Sequence, residues 1–493
     1  MRIWGSRFRA RGSEGAGVEV PALDRNSEVA LSRQLLEWFR DAALRGDLAG
    51  GERLPATRVL SSQLGVSRNT VCEAYELLAA EGYIECSVGS RARIAQGVAL
   101  RDASYSRRSP SAAAVARASS GESGYPPIVA DFRTGRPDTA TIPRKTWIRA
   151  VLLASESLRD RDWLYGPSEG SMELRAEIAS YLFRSRGIRV DRDSVFVTAG
   201  ATHALHVLAL VAARRGRAVA VEDPCHSGML GTLRGVGLRT LAVEADESGM
   251  VTNALRGLDA GWGYVTPSHQ FPLGGVLPAE RRAELIAWAR DRDAFVAEDD
   301  YDSEFRFAGL PVAPLWGMDP ERVVYVGTFS KTLFPALRIG FALVPRALRD
   351  EWRDARVHSD VHNPPFEQAA LAHLLEDRTA DRHIARMKRR YASRRTALLE
   401  SVAREFEAGE VRVLGDASGL HIALRIRGGR FDADFERRAR ARGVRIAGAE
   451  RHAIEKGRWT DTLLLGYGHL DERAIERGMA LIPELLRMER APD

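Results

Sequence analysis

Apolar and polar positions divide the chain into a helical N-terminal stretch, a polar linker and a long segment in which strands and helices alternate. From Ser27 the apolar side chains recur at helical spacing, and this pattern ends near Gly46. Further along, two short β-branched runs, Phe295 to Ala297 and Val323 to Val326, end in polar residues. Such runs are typical of buried parallel strands, whose carboxyl ends carry the functional groups of open α/β sheets. The pattern predicts an α/β domain behind a small helical one.

A helix-turn-helix is predicted in the N-terminal stretch. Leu60 and Leu64 mark a short helix that Gly65 stops, and Ser67 caps a second helix that Gly82 ends. Residues 83–94 then read as a two-stranded wing that turns near Gly89 and closes at Ile94. The first turn of the second helix carries side chains of the kind that bond phosphates and base edges in the major groove, namely Arg68, Asn69 and Thr70.

Composition places the domain boundaries. A chain of 493 residues is too long for one core. We predict an irregular arm over 1–26, a winged helix-turn-helix over 27–95, a linker rich in Ser, Ala, Gly and Arg over 96–127, and a large domain over 128–493. The last part of the large domain, from Val411, reads as a small α+β subdomain.

Overall composition is that of a globular protein, with 45% hydrophobic and 28% charged residues. No window is apolar enough for a membrane span, and the start of the chain lacks the apolar core of a secretory signal. Three dispersed cysteines argue against a disulfide framework and a zinc site, so no metal is expected. We therefore expect a cytoplasmic protein, and its net charge of +6 permits binding to nucleic acid.

Residues 295 to 338 hold the groups that pyridoxal 5'-phosphate (PLP) requires. PLP needs an amine for its aldehyde, a carboxylate for its ring nitrogen and donors for its phosphate. The candidate amine is one of only four lysines beside 68 arginines, and the alternative interpretation is a surface lysine next to a polar turn. The chain offers Lys331 for the aldehyde, Asp299 for the ring nitrogen, and Thr328, Ser330 and Arg338 for the phosphate.

Two sets of sequence strings resemble known families. EDDYDSEFR and GTFSK resemble the fold-type I aminotransferases, most closely the MocR subfamily of GntR-type transcriptional regulators, and LPATR with LGVSRNT resembles the winged helix-turn-helix of those regulators. The resemblance implies a PLP-dependent domain with a mixed, mostly parallel sheet. It further implies that Lys331 forms a Schiff base with PLP, that Asp299 pairs with the ring nitrogen, that Tyr301 pairs with the ring hydroxyl, and that Thr328 and Arg338 bind the phosphate.

The same resemblance implies a set of DNA contacts. Where relatives carry a Gly-Ser-Gly-Thr wing, this chain has Gly89, Ser90, Arg91 and Ala92, so Arg91 is the candidate for a minor-groove contact. The implied DNA-binding residues are Arg58, Ser67, Arg68, Asn69, Thr70 and Arg91.

Further cofactor contacts are expected around the same site. Tyr165 matches the tyrosine that reaches the neighbouring subunit's cofactor phosphate in aminotransferases, which implies a homodimer. The first N–H groups of a helix starting at Ala201 and Thr202 are placed to bind an anion. His226 occupies the position of an aromatic ring that stacks on the cofactor in relatives, although it also reads as a polar surface residue. His269 and Gln270 are expected to line the pocket.

The resemblance leaves open whether the domain is a sensor or an enzyme. Transamination needs a cationic clamp for the substrate carboxylate, and at the matching position this chain has Leu464, with Arg425, Arg427 and Arg445 as possible replacements. We expect a PLP-dependent regulator, more a sensor than an enzyme, that binds double-stranded operator DNA and an amine, an amino acid or a B6 vitamer. The alternative is an active aminotransferase with a DNA-binding appendage.

Overall fold

The computed structural model describes residues 21–86, 91–98, 125–309 and 312–490. The chain forms two compact units, one that includes the described residues up to Val98 and one that begins at Tyr125. Most of the predicted arm and linker, and the wing turn at Gly89 and Ser90, therefore lie outside the described residues. Within the described ranges no helix has the length and apolar character that a membrane span requires.

The first unit confirms the predicted helix-turn-helix. Its two short strands pair antiparallel, with Ile84 opposite Ile94. Ser67 caps the second helix of the motif, since its Oγ accepts the Thr70 N–H at 3.1 Å, and Gly65 ends the preceding helix in a left-handed conformation with φ 62°. The elements are α1 (Leu31–Arg45), α2 (Thr57–Leu64), α3 (Arg68–Ala80), β1 (Ile84–Glu85) and β2 (Arg93–Ile94).

One small hydrophobic core holds this unit together. The apolar faces of the three helices meet there, because their buried side chains recur at helical spacing. Tyr75 closes the edge of the core with a hydrogen bond from its hydroxyl to the carbonyl of Pro55 at 3.0 Å. Polar residues at the start of α3 consequently face outward. The core is formed by Leu35, Leu36, Phe39, Leu60, Val71, Ala74 and Leu78 among others.

The second unit is built on a mixed, mostly parallel sheet of eight strands, as predicted. Its strand order is β4-β11-β10-β9-β8-β5-β6-β7, and every neighbouring pair from β10 to β6 is parallel. The strands are β4 (Val195–Thr198), β5 (Ala218–Asp223), β6 (Thr240–Asp246), β7 (Gly249–Met250), β8 (Ala260–Val265), β9 (Phe295–Asp300), β10 (Val323–Thr328) and β11 (Gly340–Leu343).

Helices cover this sheet, and two apolar clusters fill the space on either side of the buried strands. The helices are α4 (Arg144–Ser157), α5 (Met172–Arg186), α6 (Ala201–Arg214), α7 (Ser227–Gly235), α8 (Ala279–Asp291), α9 (Arg349–Val357), α10 (Pro365–Glu376) and α11 (Thr379–Glu405).

The C-terminal part forms the predicted α+β subdomain. Four antiparallel strands have the order β12-β13-β16-β15, and β14 pairs parallel with β3 (Ala130–Asp131) from the start of the unit. The subdomain is thus tied to the first segment of the second unit. Its elements are β12 (Val411–Leu414), β13 (His421–Ile426), α12 (Ala433–Ala441), β14 (Val444–Arg445), β15 (Ala447–Gly448), β16 (Thr462–Gly466), α13 (Glu472–Ala480) and α14 (Ile482–Arg490).

Candidate functional site

The carboxyl ends of neighbouring parallel strands deliver the candidate cofactor residues to one edge of the large sheet. Asp299 lies opposite Val326 in the pairing of β9 with β10, and Thr328 is the last residue of β10. Tyr264, near the end of β8, is opposite Ala297 and therefore on the same face as Asp299. Because these strands run in the same direction, their polar ends meet.

A cavity of about 370 Å³ opens at this edge. It brings together most of the residues that the sequence analysis assigned to a cofactor. Those that line it are Ala201, Thr202, His226, Asp299, Tyr301, Thr328, Ser330, Lys331 and Arg338, and they are joined by Thr134, Gly135, Leu205, Gly228, Met229, Thr232, Tyr264, Thr266, Phe271 and Pro335.

Lys331 directs its amine into the cavity, where Nζ donates to the carbonyl of Gly135 at 2.6 Å. Gly135 has φ 74°, and a Cβ there would lie 3.3 Å from Nζ, so glycine serves both the turn and the approach of the lysine. Burial holds the pKa of Lys331 below its ordinary value, while the negative charges of Asp302 and Asp299 oppose this shift. A lowered pKa increases the fraction of neutral amine, which is the form that attacks an aldehyde.

The two carboxylate oxygens of Asp299 differ among the described residues: one accepts a hydrogen bond, and the other has no hydrogen-bond donor and is called the open oxygen below. The Tyr264 hydroxyl donates to Oδ2 at 2.7 Å, whereas Oδ1 is buried without a hydrogen-bond partner among the described residues. Burial raises the pKa of Asp299 to about 6, against the lowering effect of the Tyr264 hydrogen bond. The carboxylate is therefore ionised at neutral pH, and its open oxygen suits a protonated ring nitrogen. The sequence analysis missed Tyr264, although a tyrosine in the apolar run AGWGYV was a usable signal.

Another part of the cavity lining has the features of an anion site. Helix α6 begins after Gly200. Because Gly200 has no side chain, it does not occupy the first N–H groups of the helix, which are those of Ala201 and Thr202. The Arg338 guanidinium lies beside this helix start and donates to the carbonyl of Ala199 at 2.7 Å. A Cβ at Gly200 would come within 3.0 Å of that guanidinium. Positive charge, helix dipole and N–H donors all favour a phosphate there.

Thr328 and Ser330 form a hydrogen-bonded pair in the cavity lining. The Thr328 hydroxyl donates to Ser330 Oγ at 3.0 Å, and the Ser330 N–H donates to Thr328 Oγ1 at 3.1 Å. This pair fixes the turn that connects β10 to Lys331. Their hydroxyl groups line the cavity together with the start of α6.

His226 forms a side wall of the cavity. It caps α7, because its Nδ1 accepts the Met229 N–H at 3.1 Å, and its ring meets Phe271 edge-on with centroids 5.4 Å apart. One part of the ring remains exposed to the cavity. Burial of the remainder, together with the positive charge of Lys331, lowers the pKa of His226, so the imidazole is neutral at pH 7.

His269 and Gln270 do not line the cavity, contrary to the sequence analysis; both lie behind it, fully buried. Gln270 Nε2 donates to the carbonyls of Pro224 and Phe271, each at 2.8 Å. The loop after β8 is thereby folded back, and it is Phe271 that reaches the cavity. Sequence alternation alone could not show which loop residue turns inward.

The Tyr301 hydroxyl is supported by a buried histidine cluster. It donates to the carbonyl of His269 at 2.9 Å, and His269 Nδ1 lies 3.1 Å from Asp302 Oδ1. His269, Asp302 and His421 are residue types that bind metals, and their candidate ligand atoms lie within 4.8 Å of one another. Asp302 also accepts the Leu420 N–H at 3.2 Å, and His421 Nε2 is 3.0 Å from the carbonyl of Pro272. We interpret the cluster as a hydrogen-bonded support for Tyr301.

None of the arginines proposed as a carboxylate clamp lines the cavity. Arg425 bonds Asp461 at 2.8 Å, Arg445 lies 3.6 Å from Asp131, and Arg427 is exposed. Leu464 is 1% exposed and packs in an apolar cluster with Leu273, Leu414, Ala423, Ala449, Ala453 and Trp459.

The candidate DNA-binding residues lie mostly on the surface of the first unit. Arg58, Arg68, Asn69 and Arg91 are exposed, and Thr70 is half-buried. The Ser67 side chain is occupied as a helix cap. An exposed, polar first turn on the second helix of the motif is the geometry with which such a helix enters a major groove.

Tyr165 does not line the cavity of its own chain and is 87% exposed. The neighbouring Trp163 and Leu164 are also exposed. Three consecutive exposed large apolar side chains are unusual on a free surface.

Comparison with known families agrees with both units. The family "Aminotransferase class I and II" matches residues 127–433, and the family "Bacterial regulatory proteins, gntR family" matches residues 31–94. The two matches correspond to the large sheet domain and to the helix-turn-helix.

Individual relatives share both parts. The chain is 33% identical over 480 residues to the probable rhizopine catabolism regulatory protein MocR of Rhizobium meliloti, covering 93% of this chain and 94% of that protein. It is 34% identical over 409 residues to the pyridoxine biosynthesis transcriptional regulator PdxR of Corynebacterium glutamicum, covering 82% and 85%. Among solved structures, the α-aminoadipate aminotransferase LysN of Thermus thermophilus, complexed with N-(5'-phosphopyridoxyl)-L-leucine, is similar with a TM-score of 0.65 at 26% identity, covering 73% and 92%.

The hydrogen bond from Tyr264 to Asp299 leads to a prediction about pH. Because an ionised Asp299 is required to pair with a cationic ring, we expect PLP affinity to fall as the pH drops through about 6. Loss of a hydrogen bond to a charged group is worth about 1.5 kcal/mol, or roughly one pH unit. In Tyr264→Phe the midpoint should therefore rise to about pH 7. The measurement is the PLP dissociation constant against pH.

Tyr325→Phe is the matched control, since the Tyr325 hydroxyl donates at the same distance, 2.7 Å, to the neighbouring Asp300. Titration of the PLP phosphate is common to both variants, so the difference between their midpoint pH values reports the protonation of Asp299. Equal midpoints in the two variants would contradict the assignment.

Proposed function

We propose that this protein is a PLP-dependent transcriptional regulator. The premise is that the chain belongs to the GntR-type regulators of the MocR group, which carry an aminotransferase class I and II domain. Its first unit binds double-stranded operator DNA, and its second unit binds PLP and senses a small amine, an amino acid or a B6 vitamer. The open, buried Oδ1 of Asp299 in a cavity shared with Lys331 is the observation that carries the cofactor assignment.

The residues at the cavity fit PLP group by group. Lys331 would hold the aldehyde, Asp299 the ring nitrogen and Tyr301 the ring hydroxyl, while His226 would lie against the ring. The start of α6 would hold the phosphate together with Thr328, Ser330 and Arg338. When bound, PLP supplies an aldehyde that reacts reversibly with primary amines. The protein's own contribution is to position that aldehyde and to keep the Lys331 amine partly unprotonated.

A sensing role is favoured over catalysis by the composition of the cavity. Among the described residues its charged lining consists of Lys331, Arg338 and Asp299, and each has a role toward the cofactor. No further guanidinium of the described residues lines the cavity to orient a substrate carboxylate for repeated transamination. The competing function, an active aminotransferase, would show itself as many catalytic cycles when the protein is incubated with amino acids and keto acids.

We also propose a homodimer in the cytoplasm, where operator DNA is found. The exposed segment of Trp163, Leu164 and Tyr165 would be covered by a second copy, and Tyr165 would reach the partner's phosphate site. A signal can pass to DNA if the effector has different affinities for two arrangements of this dimer.

A lysine replacement tests the cofactor assignment. Lys331→Ala should lose the PLP absorbance band and the covalent retention of PLP after borohydride reduction, because no other lysine lines the cavity among the described residues. Effector-dependent changes in DNA affinity should also be absent in this variant. Lys388→Ala is the control, since Lys388 is exposed on α11. Covalent retention of PLP by Lys331→Ala would show that another lysine holds the cofactor.

A second replacement tests the DNA contacts. Arg68→Ala should weaken binding to a duplex that the wild-type protein selects from a random pool, by about 1–3 kcal/mol if the side chain reads a base. Fluorescence anisotropy at fixed salt measures the change. Arg33→Ala, at an exposed arginine on α1, is the matched control. Equal affinities of the two variants would remove Arg68 from the interface.

The dimer has its own test. Leu164→Asp introduces a charge where the proposed interface needs an apolar side chain that is 70% exposed here, so the dimer dissociation constant should rise at least about tenfold. Analytical ultracentrifugation measures it. Met318→Asp is the control, at an exposed apolar residue that precedes β10 at the end of the sheet opposite the cavity. An unchanged dissociation constant for Leu164→Asp would place the interface elsewhere.

A further inference from the structure

The part of the cavity wall that remains after the cofactor contacts is uncharged. It includes the side chains of Thr134, Thr232, Met229, Phe271 and Pro335. Threonine hydroxyls can donate and accept hydrogen bonds, and the other side chains offer apolar or aromatic surface. An effector bound beside the cofactor would meet this wall.

The nearby cations are committed to other partners. Arg133 and Arg136 bond the carboxylate of Asp131 at 2.6 and 3.1 Å, and Arg338 lies at the start of α6 in the anion site. Arg186, behind the sheet, pairs with Asp300 at 2.8 Å and is buried. Among the described residues, Arg338 is the only arginine that lines the cavity.

The apolar cluster around Leu464 continues the uncharged surroundings into the subdomain. Leu464 on β16 belongs to the same apolar cluster as Leu273, which lies two residues after Phe271 in the loop that reaches the cavity. The subdomain therefore meets the loop behind the cavity wall with hydrocarbon at Leu464 and with the rings of His421 and His452, whose centroids lie 5.5 and 5.0 Å from that of Phe271. A carboxylate brought to this region would lose its hydration without gaining a cationic partner.

We propose that the effector of this protein is a primary amine without a carboxylate group, with a hydroxylated or aromatic tail. This rests on the proposed function, since the amine is the group that the PLP aldehyde requires. The uncharged wall then binds the tail: the threonine hydroxyls bond a hydroxyl group, or Phe271 and Met229 contact an aromatic ring.

Matched pairs of compounds test the proposal on the PLP-bound, full-length protein. Ethanolamine is compared with serine, and phenethylamine with phenylalanine, since each amine is the amino acid without its carboxylate. The readouts are the change in cofactor absorbance and the heat of binding in calorimetry. We expect at least one amine to bind at least about tenfold more tightly than its amino acid.

A charge introduced into the wall gives an independent arm. Thr232 lies on α7, lines the cavity and is half-buried, so a longer side chain is tolerated. Thr232→Arg should reduce or reverse the preference for the amine, whereas Thr232→Gln, of comparable length but uncharged, should retain it. An equal preference in both variants would overturn the electrostatic explanation.

The outcomes separate this inference from the proposed function. Tighter binding of the amino acids, as would follow if a second copy supplied a guanidinium, overturns the inference and leaves the PLP-dependent regulator standing. A protein that binds PLP but responds to none of the four compounds also overturns it. A protein that never binds PLP fails the proposed function itself.

Discussion

The burial of one carboxylate, Asp299, is the constraint on which the rest of the site depends. A buried carboxylate is stable only with partners, and here Tyr264 satisfies one oxygen while the other is left for a cation. Lys331 shares the cavity, and its charge lowers the pKa of Asp299, just as the charge of Asp299 raises the pKa of Lys331. Burial disfavours the charge of each group, and the attraction between the two opposite charges offsets part of that cost. The site therefore favours a ligand with a cationic ring and an electrophilic carbon.

The register of the strands fixes the position of Asp299 relative to its partners. The parallel strands β8, β9 and β10 are buried along their whole length, and a slip of one residue would turn every side chain of a strand to the opposite face of the sheet. Tyr264 and Asp299 meet because both alternate onto the same face. Glycine then removes bulk where the backbone is crowded: a Cβ at Gly327 would lie 2.3 Å from the ring of Phe341 on the neighbouring strand. The positions of the polar ends follow from this apolar framework.

Sequence reasoning found the residues that belong to local patterns and missed those that depend on the path of a loop. Strand ends predicted Asp299 and Lys331, and the caps Gly65 and Ser67 predicted the helix-turn-helix, because each signal lies within a few residues. Tyr264 and Phe271 were missed because their roles arise only once separate segments come together. His269 and Gln270 were placed on the wrong side of the cavity wall for the same reason. Alternation specifies faces in a strand, but it does not describe a loop that folds back on itself.

The hydrogen bond from Lys331 to Gly135 connects the cavity to the first segment of the second unit. That segment pairs with β14 through Ala130 and Asp131, and the Gly466 N–H donates to the carbonyl of Phe132 at 2.7 Å. Gly135 is thus held between the subdomain and the lysine. As a free amine or ammonium, Lys331 donates to the Gly135 carbonyl, whereas it would have fewer protons to donate if it held the aldehyde of PLP as proposed. An effector amine that released Lys331 from PLP would therefore change a contact of this segment, which is the kind of differential interaction that a sensor requires.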